Sequence, residues 1–243
     1  MINFYCNTYG NIKPRHSQCI QRTLMCGSHF LSEQIKRECI EKSYILDDTF
    51  ENVSHLNHLI GDLTGLYWVW KNTTDEFVGV NQYCRFYDDY ELQNLKLDSN
   101  TIYVSNFVNF GNLSVWDQYS FWHTNIGIKI LYECIKNKKI PINETMANNM
   151  YFYNRLSTCN SFFAHRNIFD KLCSLIFDIL FELYEGSKYV IEHIQFDMHK
   201  NKTGDKRLLA FLMERVLNII YHNVAYLIDR NIKIHPINFI YFP

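Results

Sequence analysis

This 243-residue sequence lacks the features that define several large protein classes. It has no run of about 18 apolar residues that could span a bilayer, so we expect no transmembrane segment. Its first residues have no charged segment followed by an apolar stretch, so no signal peptide is expected. It also has no Gly-x-x-x-x-Gly-Lys phosphate loop, which argues against a nucleotide hydrolase of that type.

Metal-binding cysteine patterns are missing as well. The eight cysteines form no Cys-x-x-Cys pair and no compact cluster with histidine. This spacing argues against a zinc site. Reduced thiols in a cytoplasmic protein are the expected state.

Neither sign of charge is in excess. Lys and Arg together number 24 and Asp and Glu 25, which gives a formal net charge of -1. Such a balance predicts no general attraction to nucleic acid. A hydrophobic content of 47% is enough for a sizeable core, and no internal repeat or linker interrupts the chain. We therefore predict one domain over residues 1–243.

Strand and helix patterns alternate along the chain, which predicts an α/β fold with its helices concentrated in the carboxyl-terminal half. The predicted strands are Ile2–Cys6, Tyr44–Leu46, 77–83 and Thr101–Val108. An acidic loop is predicted after the strand at 77–83, and strand or loop at Val224–Arg230 and Lys233–Ile240. The predicted helices are Ser32–Lys42, His55–Asn72, Gln118–Asn137, Asn167–Tyr184 with its end at Gly186, and Lys206–His222.

The run from Phe77 to Val80 is almost continuously apolar, as expected of a strand covered on both faces. Ligands of α/β sheets bind beyond the carboxyl ends of such strands. Here the strand is followed by Gln82, Tyr83 and Arg85, which are an amide, a phenol and a fixed cation. This set could hold a sugar or a diphosphate, although polar groups at a strand end can also simply meet water.

Several separated motifs, in order from about Asp47 to Asn218, resemble the capsular-polysaccharide-type glycosyltransferases, a family long catalogued as a domain of unknown function. The motifs are Asp48-Thr-Phe-Glu-Asn52, Gly61-Asp-Leu-Thr-Gly-Leu-Tyr-Trp-Val-Trp-Lys-Asn72, Val78-Gly-Val-Asn-Gln-Tyr-Cys-Arg85, Asn160-Ser-Phe-Phe163, Ile168-Phe-Asp-Lys-Leu-Cys173 and Arg207-Leu-Leu-Ala-Phe-Leu-Met-Glu-Arg215. The resemblance implies a GT-A-like, Rossmann-like mixed sheet flanked by helices. It further implies a transferase that moves a sugar from a nucleoside diphosphate-sugar to a hydroxyl of a glycan or glycoconjugate.

Under this resemblance, residues 1–115 would form the half that binds the nucleotide sugar and residues 116–243 the acceptor side. The first strand with Asn52, Asn57 and Asp62 would hold the base and ribose of the donor. Asp62 could equally be an ordinary polar group of a helix face, and Asn52 or Ser54 could cap the helix that follows them.

The leaving diphosphate would be bound by Lys71, Tyr83 and Arg85, with Gln82 and Arg207 as further donor contacts. Lys71 follows an aromatic helix face, so its ammonium group either reaches a phosphate or extends to solvent.

Arg85, His123 and Glu214 are the predicted catalytic residues. His123 follows an aromatic segment and could be a base or a structural group. Arg207 and Glu214 are seven residues apart and therefore share one helix face, either as a wall of a polar cleft or as an internal ion pair. The base itself is left open among His123, Glu214, Asp88 and Asp89.

The adjacent acids Asp88 and Asp89 are the candidate ligands for Mn²⁺ or Mg²⁺, because a hard dication that bridges a diphosphate requires oxygen ligands. Consecutive residues of an extended loop point apart, so at most one would reach the ion directly. Arg85 offers a metal-free alternative, since a guanidinium can bind a diphosphate bidentately.

The chain also departs from the family pattern. The strand-end motif of the family usually reads His-Tyr-Arg-Arg, whereas this chain has Gln82 and Cys84 at the first and third positions. The loss of one histidine and one arginine raises the alternative of a catalytically inactive sugar- or nucleotide-binding scaffold protein of the same fold.

Overall fold

The computed structural model describes residues 2–9, 21–197 and 207–241. Its strands are β1 (Ile2–Thr8), β2 (Gln21–Met25), β3 (Ile45–Leu46), β4 (Phe77–Gln82), β5 (Arg85–Tyr87), β6 (Thr101–Ser105), β7 (Phe107–Asn109), β8 (Arg155–Ser157), β9 (Phe162–His165), β10 (Lys233–Ile237) and β11 (Phe239–Tyr241). Its helices are α1 (Glu33–Glu41), α2 (Asn57–Ile60), α3 (Leu63–Asn72), α4 (Asp89–Asn94), α5 (Val115–Trp122), α6 (Ile126–Lys136), α7 (Glu144–Asn148), α8 (Arg166–Asp197), α9 (Leu208–His222) and α10 (Val224–Leu227).

A mixed sheet forms the centre of the described structure, with the strand order β10-β6-β9-β4-β1-β2-β3. Strands β1 to β4 pair in parallel, β9 runs antiparallel to both β4 and β6, and β10 is parallel to β6. The carboxyl ends of β1, β2, β4, β6 and β10 therefore meet at one edge of the sheet, where β9 begins. The predicted α/β class, with a mixed sheet flanked by helices, is confirmed.

Side chains cover both faces of this sheet. On one face, Val78, Val80 and Phe162 belong to the main core, to which α3, α6, α8 and α9 also contribute apolar side chains. On the other face, Phe163 and Tyr103 stack with ring centroids 4.6 Å apart in a smaller cluster. Residues that alternate along one strand thus supply two separate cores, as the period of a strand requires.

Gly79 allows β4 and β9 to approach each other closely. It pairs with Phe163, and a Cβ atom at position 79 would lie 2.3 Å from the Phe163 Cβ. Only glycine fits this contact between two buried strands.

The predicted strands β1, β3 and β4 form, and the strand predicted over Thr101–Val108 divides into β6 and β7, which lie in different sheets. The acidic loop predicted after the strand at 77–83 instead contains β5 and α4, and the strand or loop predicted over Val224–Arg230 begins with the helix α10. Strands β2, β8 and β9 were not predicted, because their short apolar runs carry no clear period.

Three helix predictions require correction. The helix predicted over His55–Asn72 breaks at Gly61, whose φ of 57° separates α2 from α3. The helix predicted over Gln118–Asn137 is two helices, α5 and α6. Gly186 does not end α8, which continues to Asp197.

The helix predicted over Lys206–His222 is described from Leu208 onward, and Lys206 lies outside the described residues. Within the described ranges, every helix is too short or too polar to cross a membrane.

Candidate active site

A cleft of about 700 Å³ opens at the carboxyl edge of the sheet. Its walls come from the chain just after β1, β4 and β6, from the turn before β9, and from α5 and α9. This is the edge at which α/β proteins bind their ligands. Seven of the twelve predicted site residues line the cleft, namely Asp62, Gln82, Tyr83, Arg85, His123, Arg207 and Glu214.

Asp62 lies between the break at Gly61, which follows the end of α2, and the first residue of α3, Leu63, and it lines this cleft. Its side chain is buried, with only 6% of the residue exposed. Gln82 Nε2 donates to its Oδ2 at 2.7 Å, and Asn160 Nδ2 lies 3.5 Å from its Oδ1. Asp62 is therefore held by the neighbouring strand ends.

The pKa of the Asp62 carboxyl is raised to about 6, primarily by burial and further by the negative charge of Glu214. The hydrogen bonds from Gln82 and Asn160 and the charge of Arg207 act in the opposite direction. Asp62 consequently changes its charge close to neutral pH.

Gln82 connects Asp62 to Arg85. Its Nε2 donates to the carboxylate of Asp62 and, at 3.3 Å, to the backbone oxygen of Cys159, while its Oε1 accepts from Arg85 Nη1 at 2.7 Å. The orientation of the amide follows from its partners, because carboxylate and carbonyl oxygens only accept and a guanidinium only donates. Gln82 therefore ties the cation at the start of β5 to the floor of the cleft.

The turn before β9 forms another wall, and its backbone is strained. Cys159 has φ 75° and Asn160 φ 49°, although neither is glycine. Each such conformation costs about 1–3 kcal/mol and persists only where the surroundings enforce it. The enforcing contacts are Glu214 Oε1, which accepts from the Cys159 N–H at 2.7 Å, and Gln82 Nε2, which donates to the Cys159 oxygen.

The Cys159 thiol is unsuited to nucleophilic chemistry. Burial, the largest effect, and the nearby charge of Glu214 raise its pKa to about 12. At neutral pH it therefore remains a thiol.

Helix α9 carries a buried ion pair into the cleft. Arg215 is only 2% exposed, and its Nη1 donates to Glu214 Oε2 at 2.6 Å. Its Nη2 donates to Gln118 Oε1 of α5 at 2.6 Å. Arg207 and Glu214 both line the cleft, which agrees with the first of the two alternatives given for them. The ion-pair partner of Glu214 is its neighbour Arg215.

Aromatic rings and a cation surround other parts of the cleft. The guanidinium carbon of Arg207 lies 4.8 Å from the ring centroid of Tyr9, whose ring meets Tyr83 edge-on at 6.1 Å. The imidazole of His123 stacks on Phe211, with ring centroids 4.2 Å apart. Cationic and aromatic groups thus face the same space.

Three of the predicted donor contacts lie away from this cleft. Asn52 Nδ2 donates to the backbone oxygen of Phe50, and the buried Asn57 Nδ2 donates to the backbone oxygen of Gly61 at 2.8 Å. Lys71 Nζ lies 3.8 Å from the ring centroid of Trp70 and 3.5 Å from Glu51 Oε1. Asn52, Asn57 and Lys71 therefore have local partners and do not line this cleft.

Asp88 and Asp89 also lie outside the lining of the cleft. Asp88 Oδ1 caps α4 by accepting from the Glu91 N–H at 2.9 Å, and Asp89 is the first residue of that helix. In the part of the chain that is described, no three His, Cys, Asp or Glu side chains are grouped so as to hold a metal ion. The two acids do not fit a cation that bridges a diphosphate in this cleft.

Sequence reasoning missed several residues of the cleft. Arg215 and Asn160 lie in the family-like motifs but were given no role. The other missed residues that line the cleft include Tyr9, Asn106, Gln118 and Thr158. The signal for Tyr9 was its place shortly after the first predicted strand, whereas Asn106 lay inside the strand predicted over Thr101–Val108, which in the structure ends at Ser105. Gln118 and Thr158 are brought in by long-range packing and carry no local signal.

Comparison with solved structures identifies a similar fold. The apo structure of WbbM, a bifunctional glycosyltransferase, superposes with a TM-score of 0.70 at 19% sequence identity. The match covers 99% of this chain and 45% of that chain, so the present chain spans less than half of the bifunctional protein. At this identity the match establishes a glycosyltransferase-like fold.

No curated protein sequence matches the chain. The profile of a family described as a domain of unknown function, DUF4422, matches residues 28–225. This range includes all twelve predicted site residues. The chain therefore belongs to the DUF4422 family.

Proposed function

We propose that the protein is a glycosyltransferase that moves a sugar from a nucleoside diphosphate-sugar donor to a hydroxyl of a glycan or glycoconjugate. The observation that carries this proposal is the Asp62–Gln82–Arg85 chain of hydrogen bonds at the carboxyl end of β4, inside a cleft of about 700 Å³. The glycosyltransferase-like fold supports the same reaction class. Cytoplasmic polysaccharide biosynthesis is the setting that we propose for it.

The donor diphosphate would lie against Arg85 and Arg207. In the transfer step the acceptor oxygen forms a bond to the anomeric carbon, and the bond from that carbon to the diphosphate oxygen breaks. The electron pair leaves with the diphosphate, where a fixed guanidinium offsets the developing charge. Tyr9 and Tyr83 offer rings beside Arg207 that could pack against the donor.

The acceptor hydroxyl loses its proton to a base in an inverting reaction. We assign His123 to this role, because its ring lines the cleft and is held by stacking on Phe211. Glu214 instead positions the turn at Cys159, since each of its oxygens already accepts a hydrogen bond.

Binding of nucleoside diphosphates tests the proposal. A ligand present at one hundred times its dissociation constant stabilises the native state by about 2.7 kcal/mol, which a thermal shift detects readily. We expect such a shift with at least one of the uridine, guanosine, cytidine and thymidine diphosphates. The absence of a shift with all four at millimolar concentration would contradict the proposal.

Arg85→Lys keeps the charge but loses the planar fork, so transfer should fall by roughly ten- to a thousandfold while the protein stays folded. Lys233→Met is a matched control, because Lys233 begins β10 at the opposite edge of the sheet and its side chain is 73% exposed. Nucleotide binding without donor hydrolysis or transfer would favour the inactive scaffold protein over the enzyme.

A further inference from the structure

Two large aromatic side chains are exposed at the end of α5. Phe121 is 72% exposed and Trp122 61%, and their rings meet edge-on with centroids 5.1 Å apart. Buried aromatic rings contribute to the core, whereas rings left in water in a contiguous pair mark a surface that binds something.

This pair is continuous with the cleft. Gln118, on the same helix, lines the cleft and accepts from Arg215. Trp122 follows four residues later, one turn along on the same side of α5. The next residue, His123, lines the cleft again. Trp122 is therefore flanked in sequence and on its helix by residues that face the cleft, which puts the aromatic pair at its rim.

The charge of the segment that carries the pair indicates what kind of ligand suits it. Residues 114–125 include no Lys or Arg and one carboxylate, that of Asp117. An anionic membrane surface attracts segments that combine aromatic with basic residues, so this segment is a poor match for one. It suits a neutral ligand with one apolar face.

We propose that Phe121 and Trp122 form an acceptor subsite that stacks against a ring of an uncharged sugar in the acceptor glycan. One face of many sugar rings consists of C–H groups that pack on an aromatic ring, while the hydroxyls at the ring edge remain available for hydrogen bonds. A sugar seated on Trp122 would present its edge toward His123 and the cleft. This inference rests on the proposed glycosyl transfer, whose acceptor it assigns to the α5 side of the cleft.

The test uses neutral disaccharides as probes, namely lactose, maltose and cellobiose at millimolar concentration. The indole N–H signal of Trp122 is assigned by its loss in Trp122→Ala and followed by NMR. We expect at least one disaccharide to shift this signal. Trp122→Ala should weaken binding of that disaccharide by roughly tenfold, because it removes the apolar surface that the C–H face of the sugar covers, and Trp122→Phe should recover part of it.

Tyr226→Ala is the matched control, since Tyr226 is an equally exposed aromatic residue, 76% exposed, on the separate helix α10. It should bind the disaccharide as the wild type does. All these substitutions remove exposed side chains and should change the free energy of unfolding by less than about 0.5 kcal/mol.

Other results would overturn the subsite. One is a Trp122 signal that none of the three disaccharides shifts. A second is binding to vesicles of phosphatidylcholine and phosphatidylglycerol that Trp122→Ala abolishes, which would assign the pair to a membrane. A third is a dimer that the same substitution dissociates, which would assign it to a second copy of the chain. The nucleoside diphosphate thermal shift, measured on the same variants, reports separately on the proposed function.

Discussion

Replacing Gln82 by methionine should weaken the binding of a nucleoside diphosphate even though the ligand need not touch residue 82. Methionine keeps an unbranched side chain of similar length but cannot bridge Asp62 and Arg85. In the native protein this bridge consists of two hydrogen bonds of 2.7 Å, one to the carboxylate and one from the guanidinium. Without it, Arg85 loses the hydrogen bond through which Gln82 links it to Asp62.

The expected change in the dissociation constant follows from the cost of fixing the Arg85 side chain when the ligand binds. Immobilising one long side chain again upon binding costs about 0.5–1.5 kcal/mol, so the dissociation constant should rise about 2- to 12-fold. Arg85→Ala removes a hydrogen bond to a charged ligand, which is worth about 1.5–3 kcal/mol. Its dissociation constant should therefore rise about 10- to 150-fold.

A double-mutant cycle measured by calorimetry separates positioning from direct contact. If Gln82 acts through Arg85, adding Gln82→Met to Arg85→Ala should not weaken binding further. Gln82→His should bind nearly as the wild type does, because a neutral imidazole has one N–H to donate to Asp62 and one nitrogen to accept from Arg85. If the two substitutions raise the dissociation constant by factors that multiply in the double variant, Gln82 contacts the ligand itself. The reasoning from the bridge would then be wrong.

Two further predictions concern charge. The pKa of Asp62 rises from 3.8 to about 6, so between these values the native state binds more protons than the unfolded chain. The free energy of unfolding should therefore fall as the pH rises through this range, on the order of 3 kcal/mol, and Asp62→Asn should abolish this part of the pH dependence; equal denaturation profiles for the two proteins would contradict it. Because Asp88 and Asp89 lie outside the cleft, excess chelator should leave transfer unchanged, whereas a loss that Mn²⁺ restores would show that a cation takes part.

The apolar run at β4 predicted a buried strand, and the polar residues after it predicted the candidate site at its end. Both features are local properties of the sequence. Lys71 could not be placed in the same way. It follows Asp62 by nine residues on a continuous helix, and a rise of 1.5 Å per residue separates the two by about 14 Å. Two residues of one motif therefore face different surroundings.

The break at Gly61 and the turn at Cys159 could not be predicted from the sequence, for a related reason. The helical period of apolar residues continues across Gly61, so the pattern alone predicts an unbroken helix. At Cys159 and Asn160 the left-handed backbone is imposed by Glu214 and Gln82, which are distant in sequence. Conformations that long-range contacts enforce leave no local signal.

The contacts of Glu214 also bear on the base that we propose for the transfer. A guanidinium stays charged, and Arg215 is buried with Glu214 as its ion-pair partner. Both oxygens of Glu214 accept hydrogen bonds, Oε1 from the Cys159 N–H and Oε2 from Arg215 Nη1. A substrate hydroxyl that bonded to Glu214 would have to compete with these contacts, one of which holds the strained turn at Cys159. They therefore favour a positioning role for Glu214 and support our proposal that His123 is the base.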